Sequence, residues 1–252
     1  MAAPTARRRD KLRQATLAEI HQAARELLTA QGPAAVTINE VARRIGMSGP
    51  ALYHYFASHD ELVAAVTSGF LRELTAAMEA ARDARPDGPA GDRLLATCRA
   101  MRRWATAHPA EFGWIFASPI PPAASARRRP DSPRNQAGRD FELVFLQQIE
   151  ELWARRRFPV PAPEDLDPSV REQLRAYADS LGRDLPIEAL HVVLSCWIKL
   201  YGLLCMEVLN QLDFAYSDLG PIYEEALRDL AGTLGLDYRP PAAPPQPPAP
   251  PQ

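Results

Sequence analysis

Apolar residues in the first quarter of the chain recur at three- and four-residue spacing, the period of an amphipathic helix. Gly32-Pro33 and Gly46 interrupt this pattern, and both are typical helix ends. Hydroxyl side chains that can cap the next helix stand at Thr37, Ser48 and Ser58. The pattern predicts helices at 11–31, 38–45 and 49–55. The last two, joined by a short glycine turn, predict a helix-turn-helix, whose second helix enters the DNA major groove.

The same periodicity continues through most of the remaining chain. A helix over 58–82, about 37 Å long at ~1.5 Å per residue, would connect the helix-turn-helix with the rest of the molecule. Residues 118–137 are rich in proline and arginine and predict a long loop. The other predicted helices are 92–107, 109–117, 138–158, 169–181, 185–211 and 217–235. The fold class is therefore all-α, without a strand pattern.

These helices divide the chain into two predicted domains. Residues 11–60 form a three-helix, homeodomain-like helix-turn-helix domain, and residues 83–236 form a helical domain for ligand binding and dimerisation. Residues 1–10 are predicted to be a disordered basic arm, and residues 237–252 a proline-rich disordered tail. The triplet Arg7-Arg8-Arg9 could follow DNA phosphates or simply keep the arm soluble, and both interpretations stay open.

The residues of the predicted helix-turn-helix match a known family pattern. They are Thr37-Ile38, Val41-Ala42, Gly46, Ser48, Ala51-Leu52-Tyr53, Tyr55-Phe56, Ser58 and Leu62. Over roughly residues 12–65 the chain resembles TetR-type transcriptional regulators (the TetR/AcrR family). The resemblance implies a cytoplasmic homodimeric repressor that binds a near-palindromic double-stranded DNA operator and a small-molecule effector. The chain has no GxSxG, HExxH, Walker or dinucleotide-binding motif, so we expect no enzymatic activity, no cofactor and no metal, and no membrane partner.

Charge is distributed unevenly, which fits a DNA-binding N-terminus. Residues 1–57 hold eight Arg or Lys and four Asp or Glu, a formal charge of +4, whereas the whole chain carries −2. The predicted reader helix has neither Arg nor Lys, so base readout would come from Tyr53, His54 and the helix N-terminus. The candidate DNA contacts are Thr37, Arg43, Arg44, Ser48, Gly49, Pro50, Ala51, Tyr53, His54, Tyr55 and His59.

His59 stands where the resembled family usually has a lysine that faces a phosphate. An imidazole titrates near neutral pH, so this position predicts slightly tighter DNA binding at acid pH. A solvated residue beside the helix cap is the alternative interpretation of His59.

The segment 185–211 is apolar enough to suggest a membrane span, but Glu188, His191, Lys199 and Glu207 interrupt it. We therefore expect a helix between the effector cavity and the partner subunit. Ser195 and Gly202 lie seven residues apart on one face and would permit close helix approach. Three cysteines without CxxC spacing predict small core residues in a reducing cytoplasm.

The effector would be small and largely apolar, because aromatic residues dominate the second domain. The candidate contacts are Trp104, His108, Phe112, Phe116, Phe145, Trp153, Ser195 and Tyr201. For most of these aromatics an ordinary core role is the alternative. The rival function is a DNA-binding regulator without a small ligand that a protein partner controls. A closed apolar cavity would favour the first function and a filled core the second. An enzyme would require a pocket with converging titratable groups, and activator behaviour stays open.

Overall fold

The computed structural model describes residues 4–117 and 132–241, and this part of the chain is helical throughout its regular structure. The α-helices, numbered in chain order, are α1 Pro4–Gln31, α2 Ile38–Arg44, α3 Gly49–Tyr53, α4 His59–Asp83, α5 Ala90–Ala107, α6 Pro109–Phe112, α7 Pro133–Arg155, α8 Pro168–Leu181, α9 Ile187–Val208 and α10 Gly220–Thr233. A π-helix, Gly113–Ala117, continues α6, and short 3₁₀ turns occupy Pro33–Ala35 and Pro163–Asp165. The predicted all-α class is confirmed.

Helix starts account for two errors in the predicted boundaries. The first helix begins at Pro4, so the backbone of residues 4–10 is helical where disorder was predicted. Helix α7 begins at Pro133, with Ser132 Oγ accepting a hydrogen bond from the Asn135 N–H at 3.2 Å, so residues 133–137 are not loop. Proline is favourable in a first helical turn because its missing N–H would have no partner there. The rest of the predicted loop, 118–131, and the tail 242–252 lie outside the described residues.

Local hydrogen bonds set the helix-turn-helix geometry as predicted. Ser48 Oγ accepts the Ala51 N–H at 3.3 Å at the start of α3. Gly46 has a φ of 71°, the left-handed conformation that glycine adopts without strain. The Met47 N–H then donates to the Ala42 carbonyl at 2.9 Å, which closes the end of α2. Thr37 and Ser58 cap α2 and α4 in the same way as Ser48, at 3.2 Å each.

Helix α4 joins the two parts of the molecule. Its N-terminal half, with Leu62 and Val66, is buried in one core with Leu27 and Leu52 of the first three helices. Its C-terminal half packs between α5 and α7. A second core holds α5 and α7–α10 together, with Leu95 among its fully buried side chains. Movement of α4 would therefore shift both the first three helices and the helices of the second domain.

Helix α9 is long and apolar enough, by length and composition, to cross a membrane. Buried helices of soluble proteins meet the same criteria, so this finding is weak by itself. Here one side of α9 packs on α5, α8 and α10, and Glu207 near its end pairs with Arg102 of α5 at 2.9 Å. Its opposite side is open, with Ile198 67% exposed.

Candidate functional site

Helix α3 turns one side to the core and the other to solvent. Leu52 is fully buried and Phe56, just beyond the helix, is buried too. Pro50, Tyr53 and His54 are exposed, with Tyr53 52% exposed. The remaining predicted contacts in this stretch are exposed Ser48 and half-buried Gly49, Ala51 and Tyr55. Helix α3 ends at Tyr53 rather than residue 55.

The two arginines of α2 are exposed but already paired within the chain. Arg43 contacts Glu40 at 2.7 Å, and Arg44 contacts Glu26 of α1 at 2.8 Å. Exposed pairs of this kind contribute at most about 1 kcal/mol. A DNA phosphate could therefore replace either carboxylate at little cost. The side chains of Arg7 and Arg9 lie outside the described residues.

His59, the first residue of α4, is directed back toward the turn before α2. Its Nε2 lies 2.8 Å from the Val36 carbonyl oxygen. A carbonyl oxygen only accepts hydrogen bonds, so Nε2 must carry the proton that it donates. Protonation would add an N–H at Nδ1 and leave the Val36 contact intact. The acid-pH effect on DNA binding stays a prediction. Half-buried Thr37 lies beside this contact and caps α2.

Asn39 is a residue of this surface that sequence reasoning missed. It is exposed on α2, and its Oδ1 lies 2.9 Å from the position that a Cβ would take at Gly49. The Asn39 amide thus lies against the first turn of α3. Only the side-chain volume missing at Gly49 makes room for it. No local sequence signal marks Asn39, because its proximity to Gly49 exists only once α2 and α3 have packed together.

The second domain contains an aromatic cluster at the meeting of α7, α9 and the π-helix. It unites four of the eight predicted effector contacts, Phe112, Phe116, Phe145 and Tyr201, with Phe141 and Trp197. Ring centroids in this cluster are 4.8 Å apart for Phe112 and Phe116, and 5.2 Å apart for stacked Trp197 and Tyr201. Phe141 and Trp197 were absent from the predicted contacts because helix periodicity does not show which core residues meet.

The other four predicted effector contacts lie elsewhere. Trp104 stacks on His108 at 4.9 Å, and His108 Nδ1 lies 2.9 Å from the Trp104 carbonyl oxygen. Trp153 packs on Phe158 at 4.8 Å in the second core. Ser195 is half-buried on α9, one turn before exposed Ile198. The eight residues therefore do not form one pocket.

A small cavity of about 50 Å³ lies beside the aromatic cluster, between α5, α7, α9 and α10. Its lining is apolar apart from two thiols, and consists of Leu94, Cys98, Phe145, Ile149, Val193, Cys196, Trp197, Leu200, Leu230 and Leu234. Burial raises the pKa of the Cys98 thiol to about 12 and also raises that of Cys196, so neither is a ready nucleophile. Pockets for drug-sized ligands typically measure roughly 300–1,000 Å³. This cavity is therefore too small for a drug-sized ligand in its present shape.

The segment of α6 and the π-helix connects this cluster with the N-terminal helices. The Trp114 indole N–H donates to Thr67 Oγ1 of α4 at 2.9 Å, and the Tyr201 hydroxyl donates to the Phe116 carbonyl at 3.4 Å. Glu111, only 3% exposed, lies 2.9 Å from Arg25 Nε of α1. A rearrangement of the aromatic cluster would therefore act directly on α1 and α4. π-Helices are rare and frequently occur at functional sites.

Comparison with known proteins matches both parts of the chain. The model described as "Bacterial regulatory proteins, tetR family" matches residues 20–66. The model described as "Tetracyclin repressor-like, C-terminal domain" matches residues 94–230, more than half of the chain.

Among curated proteins, the HTH-type transcriptional regulator Rv1816 of Mycobacterium tuberculosis strain H37Rv is 32% identical over 115 residues. The alignment covers 46% of this chain and 49% of Rv1816, and a regulator of Mycobacterium bovis, Mb1846, matches equally. The chain thus spans about half the length of the curated relatives it matches.

Solved structures extend the likeness of fold to nearly the whole chain. The crystal structure of SCO4313, described as a regulatory protein, has a TM-score of 0.67 and 27% identity, covering 88% of this chain and 98% of that one. A regulatory protein in the tetR family from Rhodococcus RHA1 has a TM-score of 0.54 and 21% identity at the same coverage. Both support an N-terminal helix-turn-helix joined to a helical C-terminal domain.

Proposed function

The chain belongs to the TetR family of bacterial regulatory proteins, and on that premise we propose that it is a repressor that binds a near-palindromic operator as a homodimer. A small, largely apolar effector releases it from the DNA. The observation that carries this proposal is the outward face of α3, where Pro50, Tyr53 and His54 are exposed while Leu52 anchors the helix in the core. A helix that is anchored in the core by one face and exposed on the opposite face can enter a major groove in one orientation.

The open side of α9 supports dimerisation. Ile198 is 67% exposed, and Met206 and Leu209, at the C-terminal end of the helix, are exposed too. A Cβ added at Gly202, between them, would meet no atom within 4 Å. Small residues within an apolar face allow a second helix to approach closely. A second copy that used α9 and α10 would cover this face and set the distance between the two α3 helices.

The aromatic cluster supports the effector site, although its small cavity limits what can enter unaided. An effector would have to part the rings around Phe116 and Trp197, and the π-helix would move with them. Through Trp114 and Glu111 that movement would reach α4 and α1, and so shift α3. The coupling required for such release is typically 1–3 kcal/mol.

The small size of the cavity beside the aromatic cluster favours the second candidate, a regulator of the same DNA class that a protein partner controls. The two candidates differ in what releases the operator. Small apolar molecules would suffice for the first and would have no effect for the second. Action as an activator would appear as DNA binding without loss of transcription. In each case the protein acts in the cytoplasm, where the DNA is.

Footprinting on the DNA upstream of the protein's own reading frame tests the central proposal. We expect a protected, near-palindromic site whose half-sites lie about 34–36 Å apart, or a multiple of that distance. Repeating the footprint with small apolar molecules then tests release. Protection of one isolated half-site by a monomer would contradict the proposal that the protein binds its operator as a dimer.

The dimer has its own test, the mass in solution of an Ile198→Glu variant. Placing two charges at the centre of an apolar seam should convert a dimer into a monomer without unfolding it, because Ile198 is exposed in the single chain. Val160→Glu is the control, since Val160 is an exposed apolar residue outside α9, in the segment between α7 and α8. An Ile198→Glu protein that stays dimeric would place the seam elsewhere.

A further inference from the structure

We propose that Asn39 of α2 reads an adenine in the operator, beside the bases that α3 contacts. The inference rests on the proposed function, because it assigns one base contact of that same protein–DNA complex. Helix α3 has neither Arg nor Lys. Asn39, which lies on α2, would therefore add a base contact that α3 does not provide.

The position of Asn39 supports this role. Its Oδ1 lies 2.9 Å from where a Cβ would stand at Gly49, the first residue of α3. In helix-turn-helix complexes the N-terminal residues of the second helix contact the base edges. The Asn39 amide therefore lies at the end of α3 that approaches the bases, and it is exposed to solvent.

The Asn39 amide is also uncommitted, unlike the charged residues near it. Arg43 is held by Glu40, and Arg44 by Glu26. Within the described residues, no hydrogen bond engages the Asn39 side chain, whereas the Ser48 hydroxyl is used to cap α3. A base could bind the amide without first breaking a contact inside the protein.

The chemistry of the amide selects the base. An asparagine side chain offers one acceptor and two donors, which match the N6 amino group and N7 of adenine in the major groove. Tyr53 and His54, the exposed polar residues at the C-terminal end of α3, lack that paired arrangement. A contact from Asn39 to a phosphate is the alternative, and it would carry no sequence information.

Gly49 leaves room for the amide in this position. An alanine there would bring its Cβ to within 2.9 Å of Oδ1, closer than real Cβ contacts, so the amide would have to rotate away. Gly49→Ala should therefore weaken recognition at the same base pair as a change at Asn39. This predicts that two residues on different helices control a single operator position.

Binding of the full-length protein to operators substituted one base pair at a time tests the proposal. Wild-type protein should lose about tenfold or more when one particular A·T pair is changed, or when 7-deazaadenine removes its N7 acceptor. Asn39→Ala should bind the intact operator about as weakly as wild type binds that altered one, with no further loss on it. Asn39→Arg should shift the preference at that position from adenine to guanine.

A uniform loss by Asn39→Ala across all operator variants would mean a phosphate contact and would overturn the proposal. Unchanged affinity and unchanged discrimination would overturn it too. Helix content of each variant, measured by circular dichroism, separates these results from misfolding, and Asn39→Asp provides an isosteric second variant. If wild-type protein binds no near-palindromic DNA, the proposed function itself fails. That result differs from both a uniform loss of affinity and an unchanged affinity of Asn39→Ala.

Discussion

The N-terminal helices and the C-terminal helices are stabilised by contacts of different range along the chain. In α2 and α3 the defining hydrogen bonds join residues three to five positions apart, such as Ser48 with Ala51 and Ala42 with Met47. In the second region, the Tyr223 hydroxyl donates to the Cys98 carbonyl across 125 positions at 2.8 Å. The first region can therefore vary in sequence at its surface while keeping its shape. The shape of the second depends on which distant side chains meet.

The largest predicted effect comes from removing the anchor of α3. Leu52→Ala should destabilise the protein by about 2–5 kcal/mol, because Leu52 is fully buried and its loss leaves a cavity. We expect hydrogen exchange to accelerate mainly in α2 and α3, and operator binding to fall with it. Exchange measured by mass spectrometry gives both the size and the place of the effect.

Leu95→Ala is the matched control, since Leu95 is equally buried in the second core. Its exchange should accelerate in α5 and the helices packed on it, with α2 and α3 little changed. If both variants speed exchange uniformly along the chain, the two regions unfold as one unit and the contrast between them does not extend to stability.

This difference in range explains what sequence reasoning could and could not predict. The caps at Thr37, Ser48 and Ser58 and the left-handed Gly46 are local features, and all four are confirmed. Helix α10 was predicted from its periodicity to within three residues at each end. Such periodicity shows that a residue is buried but not what it contacts.

The aromatic cluster shows that limit most clearly. Trp104, Trp153 and Trp197 are all apolar positions on helices, yet of these three only Trp197 has ring contacts with Phe141 and Tyr201. Which of them meet depends on how α5, α7 and α9 pack, and no local pattern encodes that. The same holds for Asn39, whose proximity to Gly49 exists only after α2 and α3 have folded together.

A smaller effect is expected where the two regions meet. Glu111→Gln removes the charge that faces Arg25 but keeps a polar side chain, and should cost about 1–3 kcal/mol of unfolding free energy. Breaking a fully buried ion pair costs more, roughly 3–5 kcal/mol, but here Arg25 retains Glu73. Urea unfolding of the full chain measures the change.

The matching variant is Glu73→Gln, which removes the more exposed partner of the same arginine. Its cost should stay within about 1 kcal/mol, because water screens this pair. Equal costs for the two variants would mean that burial of Glu111 adds nothing, and that the junction is no more than a surface contact.

A local cap is expected to have a smaller effect still. Ser48→Ala should cost about 1 kcal/mol, since the Ala51 N–H loses its acceptor at the start of α3. Ser48→Asp should preserve the cap, and operator affinity should be tested in both, because a carboxylate here would also repel phosphate. Stability that falls equally in both variants would argue against capping as the reason for serine at this position.

The smallest effect concerns a histidine within the first region, and it depends on pH. Burial between α1 and α4 lowers the pKa of the His21 imidazole, whose ring fits only because position 69 is glycine. The unfolded chain, with its pKa near 6.5, therefore takes up the proton more readily than the folded chain. Stability from this residue is present above about pH 6.5 and is lost as the pH falls below it.

Urea unfolding at pH 7.5 and 5.5 should show a larger loss of unfolding free energy for the wild type than for His21→Gln. Glu73 and the hydrogen bond to the Val66 carbonyl oppose the shift, while Arg25 and Arg72 assist it. An identical pH dependence in the two proteins would show that Glu73 and Val66 cancel the effect of burial.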